Sequence, residues 1–333
     1  MTPGEPAAYA MAYFEPGDRE DGERIRLAVS DGPDPLAWTR VADGRPVLAS
    51  EVGEHGLRDP FLLRDERRGV FVLLATDLRT WPDEDWDRAV HRGSRSIAVA
   101  ESADLVTWSA VRLVRVAPDD AGNAWAPKAV WIPGAGEWEV LFAAGPRAGS
   151  EAGSGTWAGA PGGHQRILAT RTRDFRTFSP ARVAVDTGRD LIDMALLPHG
   201  GRVLRFSVED ASGGTGPRRG TAVSVEVGDR VDGRFRLVAR GVGMPELVHG
   251  EGPAPFVGIG GDDTIWLLVD EFGHRGCQVL STGGDGTGPW THRPEARLPD
   301  RARHGSVLAV SAAEAAVLRA GADGRGRDAR PSA

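Results

Sequence analysis

The chain repeats one plan five times: a charged residue leads a short apolar strand, and a second apolar strand follows after a turn or, for the fifth copy, is supplied by AYAMAYF at 8–14. The clearest copy is RDPFLLRD at 58–65, followed by GVFVLLAT at 69–76. Two apolar strands joined by a short turn are typical of a β-hairpin. The repeat therefore predicts five hairpins that point five ionisable side chains from equivalent places. These residues are Asp59, Lys128, Asp193, Glu251 and His304.

A third and a fourth strand complete each unit. The segments 24–41, 96–114 and 166–185 share a strand, an Asp-containing turn and a final strand entered by an aromatic residue, and two later segments follow the plan more loosely. The aromatic residues are Trp38, Trp108, Phe178, Phe235 and Trp290. Four short strands with a period of roughly 55 to 70 residues are typical of a propeller blade.

The two ends of the chain complement each other. The segment AYAMAYF at 8–14 lacks a leading strand, whereas RHGSVLAVS at 303–311 has no partner after it. Pairing these segments would close the ring and remove two exposed edges. We therefore predict an all-β fold, a single five-bladed β-propeller over 1–320, closed by a C-terminal inner strand paired with the N-terminal strands. A disordered tail is expected at 321–333.

Composition limits the classes of partner. Of the 333 residues, 41% are hydrophobic, which is ample for a core, and the net charge of −7 gives no reason to expect nucleic acid or an anionic membrane. The single cysteine, Cys277, permits no internal disulfide. The start of the sequence has no basic region followed by an apolar run. We expect a cytoplasmic protein, or a secreted one if a signal peptide has been removed.

Three long connections fall between the second and third strands of their blades, at 77–95, 145–165 and 209–220. Long loops in a compact domain tend to carry function. Trp81 and Trp86 lie in the first of these connections, and Trp157 lies in the second. These tryptophans either stack on a sugar ring or pack beneath a loop, and both interpretations stay open.

An ordered set of motifs, each at the head of its own blade, resembles the five-bladed propellers of glycoside hydrolase family 43. The resemblance covers essentially the whole chain. The motifs are RDPF at 58–61, WAPKAVW at 125–131, LIDMAL at 191–196, EGPAPF at 251–256, VDEF at 269–272 and RHGSVLAV at 303–310. Families 32 and 68, which cleave fructans, also use an RDP motif. Their Glu-Cys acid motif is absent here, since Cys277 follows Gly276.

The resemblance implies a role for three carboxylates. Asp59 is similar to the family's general base, Glu251 to its general acid, and Asp193 to the third carboxylate, which keeps the pKa of the acid high and orients it. An Asp before Pro is by itself an ordinary turn residue. The shared place of all three residues in the repeat favours catalysis. The side chains expected to bind substrate are Phe61, Trp81, Trp86, Trp125, Lys128, Trp157 and Arg303.

His304 resembles the axial histidine that helps to hold a hydrated metal ion, commonly calcium, in some members of the family. A histidine on an inner strand is as often a hydrogen-bonded core residue, so both interpretations stay open. We expect no required cofactor and regard an axial calcium ion, held by His304 through water, as the one candidate.

Lys128 departs from the family pattern, in which an acidic or amide residue typically follows WAP. Lys and Arg total 40, and Lys128 is the single lysine, so 39 are arginines. An ammonium beside Glu251 would lower the pKa of the acid unless the substrate carried an anionic group. The sequence therefore suggests an acidic substrate, a chemical role for Lys128, or a chance replacement at a tolerant position.

The residues and the resemblance together predict a glycosidase with a small sugar or glycoside as its substrate. We expect an inverting mechanism on arabinofuranosyl or xylosyl glycosides, and a substrate with an anionic group near the scissile bond is one alternative. Two other classes stay open: a repurposed propeller enzyme of small-molecule metabolism that uses Lys128, and a carbohydrate-binding propeller without turnover.

Overall fold

The computed structural model describes residues 4–149, 163–209 and 221–322. In this part of the chain, twenty strands form five antiparallel sheets of four strands each, and the sheets stand in a ring. The predicted five-bladed β-propeller is confirmed.

The strands follow the predicted order. The chain opens with three strands of the closing blade: β1 (Pro6–Phe14), β2 (Arg26–Asp31) and β3 (Asp34–Arg40). The first blade contains β4 (Leu57–Asp65), β5 (Val70–Asp77), β6 (Ser96–Ser102) and β7 (Arg112–Arg115). The second blade contains β8 (Trp125–Ile132), β9 (Glu137–Ala144), β10 (Arg166–Thr172) and β11 (Arg182–Val185).

The remaining strands complete the ring. The third blade contains β12 (Leu191–His199), β13 (Arg202–Glu209), β14 (Ala222–Gly228) and β15 (Phe235–Val242). The fourth contains β16 (Glu251–Val257), β17 (Ile265–Glu271), β18 (Gly276–Thr282) and β19 (Thr291–His292). The inner strand of the closing blade is β20 (Arg303–Ser311). The helices are α1 (Trp86–His91) and α2 (Ala312–Ala322), with a 3-10 turn at Val41–Gly44.

The core lies between the blades. The second strands β5 and β17 are buried along almost their whole length, because neighbouring blades cover both faces of each sheet. This explains why they read as continuous apolar runs rather than alternating ones. The ring of Tyr9 on β1 packs edge-on against Phe256 on β16, with centroids 5.1 Å apart, and joins the closing blade to the fourth. The five inner strands surround the axis of the ring.

The closing blade is built from both ends of the chain, as predicted. Strand β20 pairs antiparallel with β1, from Ala8 opposite Val310 to Tyr13 opposite Gly305. This pairing leaves neither β1 nor β20 with an open edge on that side.

Helix α2 was not predicted. It begins after Ser311, whose hydroxyl accepts a hydrogen bond from the Glu314 backbone while the Glu314 carboxylate accepts one from the Ser311 backbone. This reciprocal pair is a capping box, and the sequence SAAE at 311–314 carries its signature. The helix ends at Ala322, just past the predicted domain boundary at 320, and 323–333 lie outside the described residues.

All five inner strands contain a bulge at the same place. In the first blade, Arg58 pairs with Thr76 and Phe61 with Leu74, so one extra residue of β4 lies between the two pairs. The same shift occurs in the other four inner strands. The bulges place three successive layers of side chains around the axis, and they carry the candidate site.

In the described ranges, no helix is both long enough and apolar enough to cross a bilayer.

Candidate active site

The bulges show which inner-strand residues are equivalent. The upper layer contains Arg58, Trp125, Ile192, Glu251 and Arg303. The bulge layer contains Asp59, Ala126, Asp193, Gly252 and His304. The lower layer contains Phe61, Lys128, Ala195, Ala254 and Ser306.

The prediction of five equivalent ionisable residues is therefore wrong in two blades. Asp59, Asp193 and His304 share the bulge layer, but Glu251 lies one residue earlier and Lys128 two residues later. The reason is that the extra residue of the bulge is Gly252 in the fourth blade and Ala126 in the second. The charged residue near the start of each inner strand therefore does not occupy the same register position in every blade.

The bulge layer has an unusual backbone. Asp59 and Asp193 adopt left-handed conformations, with φ of 52° and 54°. Asp tolerates this region better than most residues, yet such conformations are uncommon and concentrate at functional sites. At the equivalent Gly252, φ is 58°, and a Cβ atom would lie 2.6 Å from the ring of His304. Glycine is therefore required where the histidine crosses the axis.

His304 lies at the centre of the candidate site. Its Nε2 is 2.8 Å from Oε1 of Glu251, and its Nδ1 is 3.2 Å from Oδ1 of Asp59. Nδ1 is also 3.7 Å from Oδ2 of Asp193. The imidazole thus stands between the predicted base and the predicted acid. The structure brings together all three predicted catalytic carboxylates around one ring.

Asp59 is held on its other side by the first blade. The hydroxyl of Thr76, on β5, donates a 2.6 Å hydrogen bond to Oδ2 of Asp59 and accepts one from the backbone of Ala126. The first and second blades are therefore linked through the hydroxyl of Thr76. Burial raises the pKa of Asp59, but contact with His304 and the charge of Arg58 outweigh it and hold this pKa below its ordinary value.

Glu251 is held by Arg303, the residue before the central histidine. Nη2 of Arg303 donates a 2.8 Å hydrogen bond to Oε1 of Glu251, and Nε donates to Oδ2 of Asp270 on β17. Burial lowers the pKa of Arg303, but Asp270 and Glu251 raise it above its ordinary value. Arg303, predicted to bind substrate, is thus in contact with the predicted acid.

Asp193 completes the cluster from the third blade. Its Oδ2 accepts a 3.0 Å hydrogen bond from the backbone of Gly252, the neighbour of Glu251. Burial raises the pKa of Asp193, and the charges of Glu251 and Asp59 raise it further against the opposing effect of His304. Repulsion between Asp193 and Glu251 is the relationship that the proposed role of a third carboxylate requires.

The surroundings of His304 favour the protonated form of its imidazole. Burial lowers its pKa, but the carboxylates of Asp193, Glu251 and Asp59 raise this pKa well above its ordinary value. Both ring nitrogens face carboxylate oxygens, which stabilise an N–H group and repel a lone pair.

Lys128 lies deeper along the axis than the carboxylates. Its side chain is only 4% exposed, and Nζ donates to the carbonyl of Gly305 at 3.4 Å. Burial lowers the pKa of Lys128, and the charges of Asp59 and Asp193 oppose that shift only in part. The sequence argument placed this ammonium beside Glu251, but the carboxylates that act on it are Asp59 and Asp193.

The aromatic residues predicted to bind substrate divide into two groups. Trp86 begins helix α1 and is 45% exposed, and its ring meets that of the buried Trp125 edge-on with centroids 6.5 Å apart. Trp81 is half-buried in the connection before α1. Phe61, in contrast, lies in the lower layer, with its ring centroid 5.5 Å from Nζ of Lys128. Trp157 lies outside the described residues.

Sequence reasoning missed the residues that support this arrangement. The buried Glu23 accepts hydrogen bonds from Arg58 and from the backbone of Thr80 and Trp81, and it fixes the start of the first long connection. Arg58 in turn lies over Trp86, 5.1 Å from the ring centroid. Thr76 and Asp270 were recoverable, because each is the last residue but one of a second strand and pairs with the residue before a bulge. No sequence pattern points to Glu23.

The donor set fits an axial metal ion in spacing. One ligand atom each from Asp193, Glu251 and His304 lies within 4.8 Å of the others. Nδ1 of His304 is buried without an aligned hydrogen bond and faces Asp59 and Asp193. An ion or its bound water would need a lone pair on this ring, which the surrounding carboxylates disfavour because they raise the pKa of His304. Asp193, Glu251 and His304 are the side chains that would hold an axial ion.

The sequence resembles that of a known enzyme. An α-L-arabinofuranosidase from Bifidobacterium longum is 27% identical over 231 residues, which is 65% of this chain and 21% of that protein. The chain thus spans about a fifth of the length of this relative.

Solved structures share the fold. An endo-1,4-β-xylanase from Bacteroides thetaiotaomicron superposes with a TM-score of 0.56 at 16% identity, covering 87% of this chain and 94% of that one. An α-L-arabinanase from Penicillium chrysogenum, complexed with arabinobiose, superposes with a TM-score of 0.53 at 16% identity, covering 88% and 81%. At this identity the likeness concerns the fold alone.

A family profile described as a probable glycosyl hydrolase domain, related to glycoside hydrolase family 43, matches residues 5–316. This match spans all five blades and every described residue of the candidate site. The chain belongs to the family-43-related glycosyl hydrolase domains.

Proposed function

We propose that this propeller is a glycosidase in which Asp59 is the general base, Glu251 the general acid and Asp193 the carboxylate that tunes and orients the acid. The observation that carries the proposal is the convergence of these three side chains, from three different blades, on His304. Family membership and the matched arabinofuranosidase support the reaction class.

The chemistry assigns one task to each carboxylate. Asp59, whose pKa lies below its ordinary value, is ionised at neutral pH and can accept a proton from an attacking water. Glu251 receives two donors on Oε1, so a proton for the leaving oxygen would be carried by Oε2. The repulsion of Asp193 favours the protonated form of that acid.

An inverting outcome agrees with the position of the imidazole. Asp59 and Glu251 contact opposite nitrogens of one ring, so a ring width and two contacts separate them. Inverting glycosidases need such room for a water, with carboxyl groups about 6.5–9.5 Å apart, whereas retaining enzymes hold them at about 5–5.5 Å.

Arabinofuranosyl or xylosyl glycosides are the proposed substrates. The matched proteins are an arabinofuranosidase, an arabinanase and a xylanase, and they support pentose-containing substrates. Trp86, which is exposed and braced edge-on by Trp125, offers aromatic surface on which a sugar ring can stack. An anionic group on the substrate is not needed to balance Lys128, since Asp59 and Asp193 already act on it.

A carbohydrate-binding protein without turnover is the second candidate. The observation in its favour is that two cations, Arg303 and His304, contact the same oxygen of Glu251. Cations beside a carboxylate favour its ionised form, whereas a general acid must begin protonated. The two candidates differ in turnover and not in sugar binding.

A screen of aryl glycosides, with the products followed by NMR, tests the proposal. We expect release of arabinose or xylose from their aryl glycosides, with the first-formed sugar in the inverted anomeric configuration. Asp59→Asn should abolish that release. Sugar binding by calorimetry with no cleavage of any glycoside would favour the second candidate.

A further inference from the structure

The connection between the second and third strands of the closing blade contains a buried acid, Glu23. It lies in the segment 15–25, between β1 and β2, and is 3% exposed. This segment is the counterpart of the long connection 77–95 in the first blade, which also joins a second strand to a third. The carbonyl of Glu23 accepts a 2.9 Å hydrogen bond from the backbone of Leu57, the first residue of β4. Glu23 is therefore held between two neighbouring blades.

The carboxylate of Glu23 is saturated with hydrogen bonds from the first blade. Oε1 accepts from Nη1 of Arg58 at 2.9 Å, and from the backbone and the hydroxyl of Thr80 at 2.9 Å and 2.8 Å. Oε2 accepts from the backbone of Thr80 and of Trp81 at 3.0 Å and 3.1 Å. A carboxylate offers about four acceptor positions, which these donors fill. Glu23 thus has no free position for a substrate, and any role in the site must be exerted through its partners.

The first partner, Arg58, connects Glu23 to the exposed ring of Trp86. Arg58 is 7% exposed, and its guanidinium carbon lies 4.8 Å from the ring centroid of Phe14 and 5.1 Å from that of Trp86. A planar guanidinium packs well on aromatic rings. Because Trp86 is still 45% exposed, this contact supports the ring without covering it. A buried ion pair therefore stands behind an open aromatic surface.

The backbone provides a second connection between Glu23 and Trp86. Thr80, which Glu23 holds through its backbone and its hydroxyl, accepts a 2.7 Å hydrogen bond on its carbonyl from the backbone of Glu84. The carbonyl of Glu84 in turn accepts a 2.9 Å hydrogen bond from the backbone of Trp86, the first residue of α1. The turn that leads into the helix is thus anchored on the same carboxylate. Both the ring and the backbone of Trp86 are tied to Glu23.

We propose that Glu23 is a positioning residue for sugar binding, which fixes the ring of Trp86 through Arg58 and through the backbone at 80–81. The stacking surface then exists before the sugar arrives, so binding requires less ordering of the protein. This inference rests on the stacking of a sugar on Trp86 that the proposed function includes. It goes further by assigning the alignment of that surface to a buried residue of another blade.

A double-mutant cycle between Glu23 and Trp86 tests the proposal. Glu23→Gln keeps the volume but replaces one acceptor oxygen with a donating NH₂ group, so buried donors of the first blade lose their partner. The dissociation constants for arabinobiose and xylobiose are measured by calorimetry, with Asp59→Asn as the parent in every case to prevent cleavage. We expect Glu23→Gln, Trp86→Ala and the double variant each to weaken binding about tenfold, because all three lose the same stacking contact.

Glu139→Gln is the matched control. Glu139 is also 3% exposed, and it accepts hydrogen bonds from Arg171 and Arg182 on the second blade. Its substitution should leave both dissociation constants unchanged. In hydrogen exchange followed by mass spectrometry, amides of the segment 77–92 should exchange at least about tenfold faster in Glu23→Gln and at the parental rate in Glu139→Gln.

A further variant covers the case in which Glu23→Gln does not fold. Arg58→Lys keeps a positive charge beside Asp59 but loses the planar group that supports Trp86. It should weaken binding by a similar factor, and combining it with Trp86→Ala should add little to the effect of Trp86→Ala alone.

Several results would overturn the proposal. Independent effects of Glu23→Gln and Trp86→Ala would multiply to about 100-fold in the double variant, and Glu23 would then not act through that ring. Unchanged binding or unchanged exchange in Glu23→Gln, or an equal loss of binding in Glu139→Gln, would also contradict it, as would a parent that binds neither disaccharide. These measurements need no turnover. A wild type that binds a disaccharide but cleaves no glycoside would defeat the proposed function alone.

Discussion

Nε2 of His304 lies 2.8 Å from Oε1 of Glu251, and the ring continues across the axis toward Asp59. One histidine ring therefore contacts both the predicted acid and the predicted base, each through a different nitrogen. Preorganised groups of this kind cost no reorganisation when charge develops in a transition state. The geometry makes the charges of the four residues Asp59, Asp193, Glu251 and His304 interdependent.

Stability should depend on the charge of Asp59 in a pH window that its pKa defines. The pKa of Asp59 is depressed in the folded protein, so its contribution to stability is complete above the unfolded value of about 3.9 and is lost as pH falls below it. Asn tolerates the same left-handed backbone. Asp59→Asn should therefore lower the free energy of unfolding by about 3 kcal/mol near pH 6. Urea unfolding at pH 6 and pH 3 checks this, and a pH-independent difference would contradict it.

Closure of the ring should be essential for folding. Removal of 303–333 deletes β20, exposes the edge of β1 and takes His304 from the site. We expect aggregation or loss of cooperative unfolding in circular dichroism melts. Removal of 323–333 alone retains every pair of β20 and all of α2, and its melt should match that of the full chain. If the product of the longer deletion is soluble and unfolds cooperatively, the proposed closure is contradicted.

The propeller and its closure could be predicted because blade strands are amphipathic or apolar segments of regular spacing. The position of each site residue within its strand was harder. The reliable marker was Pro60, Pro127 and Pro253, which occupy one equivalent place after the extra residue of the bulge. Proline lacks the N–H that a regular ladder needs and is tolerated at bulges. An alignment of the inner strands on these prolines would have placed Ala126 and Gly252 at the position equivalent to Asp59.

Other features depend on contacts distant in sequence. The hydrogen bond from the Ala126 backbone to Thr76 and the contact of His304 with three carboxylates arise only when the blades meet. The effect of Lys128 on Asp59 and Asp193 has the same origin. Helix α2 differs, since SAAE at 311–314 is a local signal that was visible and not used.

The capping box should make a measurable contribution to the closing blade. Ser311→Ala removes the hydroxyl that accepts from the Glu314 backbone. The expected loss is about 1 kcal/mol in the free energy of unfolding, measured by urea denaturation. Ser311→Thr keeps an accepting hydroxyl and should lose much less. Equal destabilisation by both variants would assign the effect to packing rather than to the cap.

Trp86 should contribute to sugar binding more than to the chemical step. Its side chain is 45% exposed at the first residue of helix α1, and its ring contacts Trp125 edge-on. Trp86→Ala should raise KM about tenfold and change kcat little, because stacking acts equally on substrate and transition state. Trp131→Ala is the matched control, since that ring contacts Trp138 and Arg67 on other parts of the blades. A fall in kcat with unchanged KM would contradict this role.

The assignment of acid and base is tested most directly by leaving-group dependence. Kinetics of Glu251→Gln and Asp59→Asn are compared on an aryl glycoside with a good leaving group and on an alkyl glycoside with a poor one. If Glu251 donates the proton, Glu251→Gln should lower kcat/KM at least about 100-fold on the alkyl glycoside and leave most of kcat/KM on the aryl glycoside. Asp59→Asn should lower kcat/KM by a similar factor on both substrates. Equal losses by the two variants on both substrates would contradict the account.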